Sequence, residues 1–140
     1  MTQHCTIVSR DGHTAGFQRI LEKWARREPG LAVHDGETIE VNFAQGLVRL
    51  VIIKYIEPGG RFSQLALGMR TFALRIDENK GESVAAAILA SNMLIGLTME
   101  PDLGEEDPRG DFIYSIAGSL DGLIFNGEYF VDGKGDVLLK

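Results

Sequence analysis

Residues 38–56 read TIEVNFAQGLVRLVIIKYI, and this stretch decides the fold class. Apolar and polar residues alternate over residues 38–44, which predicts a strand with one buried and one hydrated face. The run that follows, residues 47–56, is rich in β-branched residues and long enough for a central strand. Because a short turn joins the two strands, they should pair antiparallel. Residues 4–9 are partly β-branched and predict a further strand, ended by Asp11-Gly12.

Helices are predicted on both sides of this strand pair. The first begins at Thr14 and ends at Pro29-Gly30, and its apolar residues have the spacing of one helical face: Phe17, Ile20, Leu21 and Trp24. After the pair, apolar residues spaced by 3 and 4 form a second helical stripe: Phe62, Leu65, Met69, Phe72 and Ile76. The alternation over residues 72–76 also permits a short strand there. A third helix is expected over residues 82–91, with these residues facing inward: Val84, Ala85, Ile88 and Leu89.

The C-terminal half predicts a β-α-β unit and a hairpin. A short apolar strand over residues 93–99 precedes Asp107-Pro108, an N-cap residue followed by the residue favoured at the first helical position. This helix should end at Gly122 in the left-handed conformation, and residues 123–126 should return as a strand parallel to the first. Residues 129–139 carry apolar runs on both sides of a Gly-rich turn, which is typical of a hairpin.

These elements predict one α+β domain over residues 1–140, with helices packed on a mixed, mainly antiparallel sheet. A chain of 140 residues has the usual length of a single domain. Its 44% hydrophobic and 24% charged residues are typical of a globular protein and too apolar for a disordered one.

Charge and targeting signals limit the partners and the compartment. The formal net charge of −6 argues against binding nucleic acid or an anionic membrane surface. The N-terminus lacks the basic stretch and apolar run of a secretory signal, and nowhere do about 18 apolar residues follow one another. The single cysteine, Cys5, cannot form an intramolecular disulfide, which favours a reducing compartment. We therefore expect a cytoplasmic protein.

The familiar motifs of catalysis and metal binding are absent from the sequence. His4, His13 and His34 lack the i, i+4 spacing of metal ligands on a helix, and no second cysteine is present to form a zinc knuckle with Cys5. The sequence also shows no base that would activate Cys5 as a nucleophile. The stretch Asp132–Asp136 is similar to part of a calcium loop, but Lys134 occupies a ligand position, so a turn is the better interpretation. No phosphate-binding glycine loop and no Gly-x-Ser-x-Gly elbow is present. The sequence therefore predicts no metal, no cofactor and no catalytic residue.

Charge is distributed unevenly. We call residues 100–111 the acidic segment, because a single cation, Arg109, stands there against six carboxylates: Glu100, Asp102, Glu105, Glu106, Asp107 and Asp111. The first helix carries a basic face opposite its apolar one: Arg19, Lys23, Arg26 and Arg27. The acidic segment has two interpretations. It either docks a basic protein partner through those six carboxylates, or it is an ordinary solvated loop before a helix N-terminus. A homodimer that pairs the acidic segment with the basic face is a further hypothesis.

Three stretches of the C-terminal half carry a resemblance: residues 93–98, 112–125 and 131–139. With Gly68-Met69 and the helix that follows, they look like the N-terminal module of a group of uncharacterised bacterial proteins, where it precedes a larger domain of unknown function. The resemblance covers residues 60–140, and its motifs are structural: buried aliphatic residues, a helix-ending Asp-Gly and a hairpin. It implies a bacterial origin and either a free-standing module or a part of a longer protein. It carries over no catalytic residue.

Together these features predict a non-catalytic interaction module. The alternative is a small enzyme or small-molecule binder. Its site would lie at the carboxyl end of the parallel strands, near Met99 and Asn126, where open sheets place ligands. A deep pocket with a titratable group would favour that alternative, and a filled sheet would favour the interaction module.

Overall fold

The computed structural model describes residues 3–9, 14–27, 32–34, 38–54 and 59–139. The turn signals Asp11-Gly12 and Pro29-Gly30 and the candidate ligand His13 lie outside these ranges, as do the side chains of Phe17 and His34. The elements are β1 (Gln3–Ser9), α1 (Thr14–Arg27), β2 (Ala32–His34), β3 (Ile39–Phe43), β4 (Gly46–Lys54), α2 (Arg61–Ile76), α3 (Glu78–Leu89), β5 (Met93–Glu100), α4 (Pro108–Ser119), β6 (Gly122–Phe125), β7 (Phe130–Asp132) and β8 (Val137–Leu139).

All the described strands belong to one sheet. Their order is β2-β3-β4-β5-β1-β6-β7-β8, and each pair of neighbours is antiparallel. The predicted pair over residues 38–56 is confirmed as β3 and β4, with Val41 opposite Val48. The C-terminal hairpin is confirmed as β7 and β8. The prediction of an α+β domain with a mainly antiparallel sheet is therefore confirmed.

The predicted β-α-β unit differs in one respect from the structure. β5 and β6 do run in the same direction, because each is antiparallel to β1. They are not neighbours, however, since β1 lies between them, and no parallel pair occurs among the described strands. Chain order alone does not reveal that the first strand is inserted between the two.

Helices cover both faces of the sheet. On one face, α1 and α4 pack over the larger core, in which the Trp24 and Phe112 rings lie 5.7 Å apart and the Phe43 and Phe112 rings 5.5 Å apart. On the other face, α2 and α3 pack over a second core built around Phe72, Phe125 and Phe130. Alternating residues of one strand enter the two cores, as Ile95 and Leu94 of β5 do.

The α2–α3 hairpin explains two local choices. Asp77 caps α3, because its carboxylate accepts hydrogen bonds from the Asn79 and Lys80 N–H groups. The two helices approach so closely that a Cβ at Gly81 would lie 2.4 Å from the Ala73 carbonyl oxygen. Only glycine fits there without moving one helix away from the other.

Three detailed predictions are wrong. The left-handed residue after α4 is Asp121, with φ +48°, and Gly122 already begins β6. A Cβ at Gly122 would lie 2.7 Å from the Val8 carbonyl oxygen, so close strand approach is what requires glycine. Leu65 and Leu89 face solvent rather than the core, with exposed fractions of 43% and 66%. The α2 stripe is otherwise confirmed as helix rather than strand.

Candidate functional site

The acidic segment forms the connection from β5 into α4. Asp107 is the N-cap of α4 and Pro108 occupies its first turn, as predicted. The side chains of four acidic residues are exposed: Asp102, Glu105, Glu106 and Asp111. Of the other two, Asp107 is buried against Arg109, and Glu100 lies on the sheet beside Arg49 with its side chain 41% exposed.

A buried arginine holds the acidic segment in place. The Arg109 side chain is 1% exposed and forms an ion pair with Asp107, with 2.7 Å between Nη2 and Oδ2. Its guanidinium also donates to the Pro101 carbonyl oxygen at 2.8 Å and to the Asp102 carbonyl oxygen at 3.1 Å. A further bond at 3.3 Å reaches the Leu47 carbonyl oxygen in β4. One side chain therefore connects the loop, the start of α4 and the sheet.

Asp107 acts within this arrangement rather than on the surface. Its carboxylate, 5% exposed, accepts from the Arg109 side chain and from the backbone N–H groups of Arg109 and Gly104. The Arg109 hydrogen bond is the main reason why the pKa of Asp107 falls from 3.8 to about 2. Glu100 lies on the sheet, 4.0 Å from the Arg49 guanidinium, which also pairs with Glu40 at 3.0 Å.

One further contact and one exposed aromatic residue complete the surface around the exposed carboxylates. The Leu103 N–H donates to the Gln3 side-chain oxygen at 3.0 Å, which ties the loop to β1. Tyr114, one helical turn after Asp111, is 39% exposed. The acidic segment is thus fixed at several points while four carboxylates and one tyrosine face solvent.

The basic face of α1 is also exposed, and it lies in the same helical layer as α4. Its four cations are all exposed. The Arg27 guanidinium lies 5.1 Å from the centre of the Trp24 ring, and Trp24 in turn packs against Phe112 of α4. The side of the domain formed by α1 and α4 therefore carries both charged surfaces.

A small cavity lies where the sequence places the alternative site. It has a volume of about 130 Å³ and is lined by Met99 and Asn126, together with Cys5, Tyr114 and Tyr129. Among the described residues that line it there is no histidine or carboxylate. Burial raises the pKa of the Cys5 thiol to about 12, so this sulfur stays protonated at neutral pH and is a poor nucleophile.

The remaining candidate motifs have local structural roles. Asp132 accepts hydrogen bonds from the Lys134 and Asp136 N–H groups, which closes the turn between β7 and β8. His4 pairs with Thr98 across the sheet, with 3.1 Å between Nδ1 and Oγ1. Within the ranges given above, no three histidine, cysteine or acidic residues are arranged to hold a metal ion. No described helix has the length and apolar character needed to cross a membrane.

Comparisons of the chain with protein-family models, with curated proteins and with solved structures found no match. The resemblance to the N-terminal module of uncharacterised bacterial proteins therefore stays a prediction.

Sequence reasoning did not identify the part played by Arg109. Its partners are one neighbouring carboxylate and three backbone carbonyl oxygens. Because every residue has a backbone carbonyl, the sequence does not indicate which ones accept a hydrogen bond. The one available signal was its position, two residues after an N-cap aspartate, where a cation can bend back to pair with the cap.

Proposed function

We propose that this chain is a non-catalytic interaction module that docks a basic protein surface through Asp102, Glu105, Glu106 and Asp111. The observation that carries the proposal is the buried Arg109, which fixes the backbone beneath these exposed carboxylates. The sequence also includes Glu100 and Asp107 in the contact. We leave Asp107 out because its carboxylate is buried against Arg109, and we place Glu100, which is partly exposed beside Arg49, at the edge of the contact.

Fixing the loop favours binding because a segment that is already ordered loses less conformational entropy on association. An ordinary solvated loop has no need of a desolvated arginine beneath it, and burying a guanidinium is costly unless its hydrogen bonds are made. The exposed carboxylates would speed the encounter with a basic partner, and Tyr114 would supply the aromatic contact common in interfaces.

The test is capture of a partner from lysate of the source cells at low and at moderate salt, using three forms of the protein. The first is the unchanged chain. The second carries Asp102→Asn, Glu105→Gln, Glu106→Gln and Asp111→Asn. The matched control removes the same number of exposed carboxylates elsewhere: Glu22→Gln, Glu82→Gln, Glu128→Gln and Asp136→Asn.

The unchanged chain and the control should capture a stoichiometric partner, and the second form should not. Salt should weaken the capture, because it screens exposed charges. Equal capture by the second form and the control would contradict the proposal. A second copy of the chain is one partner with a suitable surface. In that case, replacing the four cations of the basic face by glutamine would dissociate the dimer, as measured by sedimentation equilibrium.

The small cavity near Met99 and Asn126 is the observation that favours the alternative, a small-molecule site. Its 130 Å³ is below the range of about 300–1,000 Å³ typical of ligand pockets. Its described lining holds Cys5, Tyr114 and Tyr129 but no histidine or carboxylate, and burial raises the pKa of both Cys5 and Tyr114 away from neutrality. A fragment screen by NMR would test it, with shifts at Tyr114 and Tyr129 as the expected signature of binding.

A further inference from the structure

A groove lies between α2 and the C-terminal part of α3, on the opposite face of the sheet from α4. Its volume is about 400 Å³, within the range of small-ligand pockets. Most of its walls are apolar: Phe62, Ala66, Leu67, Ile88 and Leu89. Leu67 and Leu89 are 59% and 66% exposed, so apolar surface at the groove remains in contact with water.

One cation lines this apolar groove. The Nε–H of Arg70 is buried and has no hydrogen-bond partner within the described part of the chain. Among the buried side-chain nitrogen and oxygen atoms of the described residues, no other lacks a partner. A buried donor on a charged group is costly when left without an acceptor, so an orphan of this kind calls for an explanation. The Arg70 side chain as a whole is partly exposed, and a small rotation of its guanidinium into the groove would bring this N–H to an acceptor supplied by a ligand there.

The chemistry of the groove selects the ligand. A guanidinium edge binds a carboxylate through two parallel N–H donors, a geometry that neutral acceptors do not match. The Ser91 hydroxyl already donates to the Ile88 carbonyl oxygen, which leaves it only as an acceptor and so unsuited to holding an anion. The apolar walls require an aliphatic body. We propose that the groove between α2 and α3 binds an aliphatic monocarboxylate, with the carboxylate on Arg70 and the hydrocarbon chain against Leu67 and Leu89.

Another cavity, between α3 and β8, does not have these properties. It has a volume of about 420 Å³ and is lined by Lys80, Asp121 and Asp132 among others. The Asp132 carboxylate is occupied by the N–H groups of its own turn. No described buried polar atom lining that cavity lacks a partner. The groove on α2 and α3 is independent of the acidic segment, so its test bears on the present proposal alone.

The test is a titration of the intact chain with sodium octanoate, followed by calorimetry and by amide chemical shifts. Octanoate should bind saturably and shift residues of α2 and α3. Octan-1-ol has the same hydrocarbon chain without the charge, and it should bind about tenfold more weakly because it cannot replace the charge-assisted hydrogen bonds. Acetate, which lacks the aliphatic body, should not bind.

Variants assign the contacts. Arg70→Gln should weaken octanoate binding about tenfold, and Arg70→Lys should weaken it too, because lysine keeps the charge without the guanidinium edge. Leu89→Ser should also weaken it. The matched controls are Arg75→Gln and Leu65→Ser, two exposed α2 residues outside the groove lining, which should leave binding unchanged.

Three results would overturn the proposal. The first is equal affinity for octanoate and octan-1-ol, and the second is unchanged affinity in both Arg70 variants. The third is a set of octanoate-induced chemical-shift changes confined to residues outside α2 and α3. If Arg70→Gln fails to fold, Arg70→Lys and Leu89→Ser decide the outcome.

Discussion

Replacing Arg109 by methionine removes a buried cation and leaves a buried anion behind. In the folded protein Arg109 binds the Asp107 carboxylate and three backbone carbonyl oxygens. Methionine has similar bulk but no donor, so Asp107, 5% exposed, would lose its counter-charge. Breaking a buried pair in this way costs about 3–5 kcal/mol of unfolding free energy. That is a large fraction of the about 5–15 kcal/mol that stabilises a typical domain.

The measurement is guanidinium unfolding followed by the fluorescence of Trp24, which is buried in the core beside Phe112. The unfolding free energy of Arg109→Lys should lie between those of the unchanged protein and Arg109→Met, because lysine keeps the charge but not the planar set of N–H donors. Arg26→Met is the matched control on an exposed arginine and should change the unfolding free energy by no more than about 0.5 kcal/mol. A loss below about 1 kcal/mol in Arg109→Met would refute the reasoning, because a buried pair costs more than that to break.

The same ion pair predicts a pH dependence. Because the pKa of Asp107 is lowered from 3.8 to about 2, this carboxylate stabilises the folded state above about pH 4 and loses that contribution as the pH falls towards 2. The shift corresponds to about 2 kcal/mol. In Arg109→Met the main cause of the shift is gone, so unfolding free energy should fall less steeply between pH 4 and pH 2 than in the unchanged protein. Parallel curves for the two proteins would contradict this account.

Two further predictions concern the helical hairpin and the thiol. Gly81→Ala should destabilise the domain by about 1–3 kcal/mol, because its Cβ would overlap the Ala73 carbonyl oxygen. Gly68→Ala, in the middle of α2 with open space around it, should instead stabilise by about 0.5–1 kcal/mol. Thermal unfolding of the two variants measures both, and a shift of the same sign in each would be evidence against the packing described. The pKa of Cys5 is raised to about 12 in the folded protein, so at pH 8 its thiol should react with a thiol reagent far more slowly there than in denaturant. Equal reaction rates would show that the thiol is not protected.

Local patterns in the sequence were sufficient for most of the elements. The alternation over residues 38–44 and the helical stripe from Phe62 are confirmed, because each depends on which residues must leave water. The spacing of apolar residues shows which of them share a helical face, but not how much of that face other elements cover. Leu65 and Leu89 were therefore wrongly predicted to face the core. The position of β1 between β5 and β6 depends on contacts between distant residues, which no local window contains.

The candidate site was less predictable than the fold. The charge count drew attention to the acidic segment, but it treated all six carboxylates as equivalent. The structure separates them, since Asp107 is buried against Arg109 and Glu100 lies beside Arg49 on the sheet, while the other four are on the exposed surface. The groove on α2 and α3 gave no signal at all, because the sequence shows neither that the Nε–H of Arg70 is buried without a partner nor that Leu67 stays exposed to water.

The central place of β1 has a consequence for how the chain reaches its folded state. Ile7 pairs on one side with Ile95 and on the other with Ile124, so the middle of the sheet is made by the most distant parts of the chain. During synthesis on the ribosome, β1 emerges before β5 and β6, so both of its neighbours in the sheet are missing until those later strands follow. Such long-range pairing makes folding slow and exposes strand edges in the interval. A nascent chain of this protein is therefore expected to depend on protection of β1 until β5 and β6 have been made.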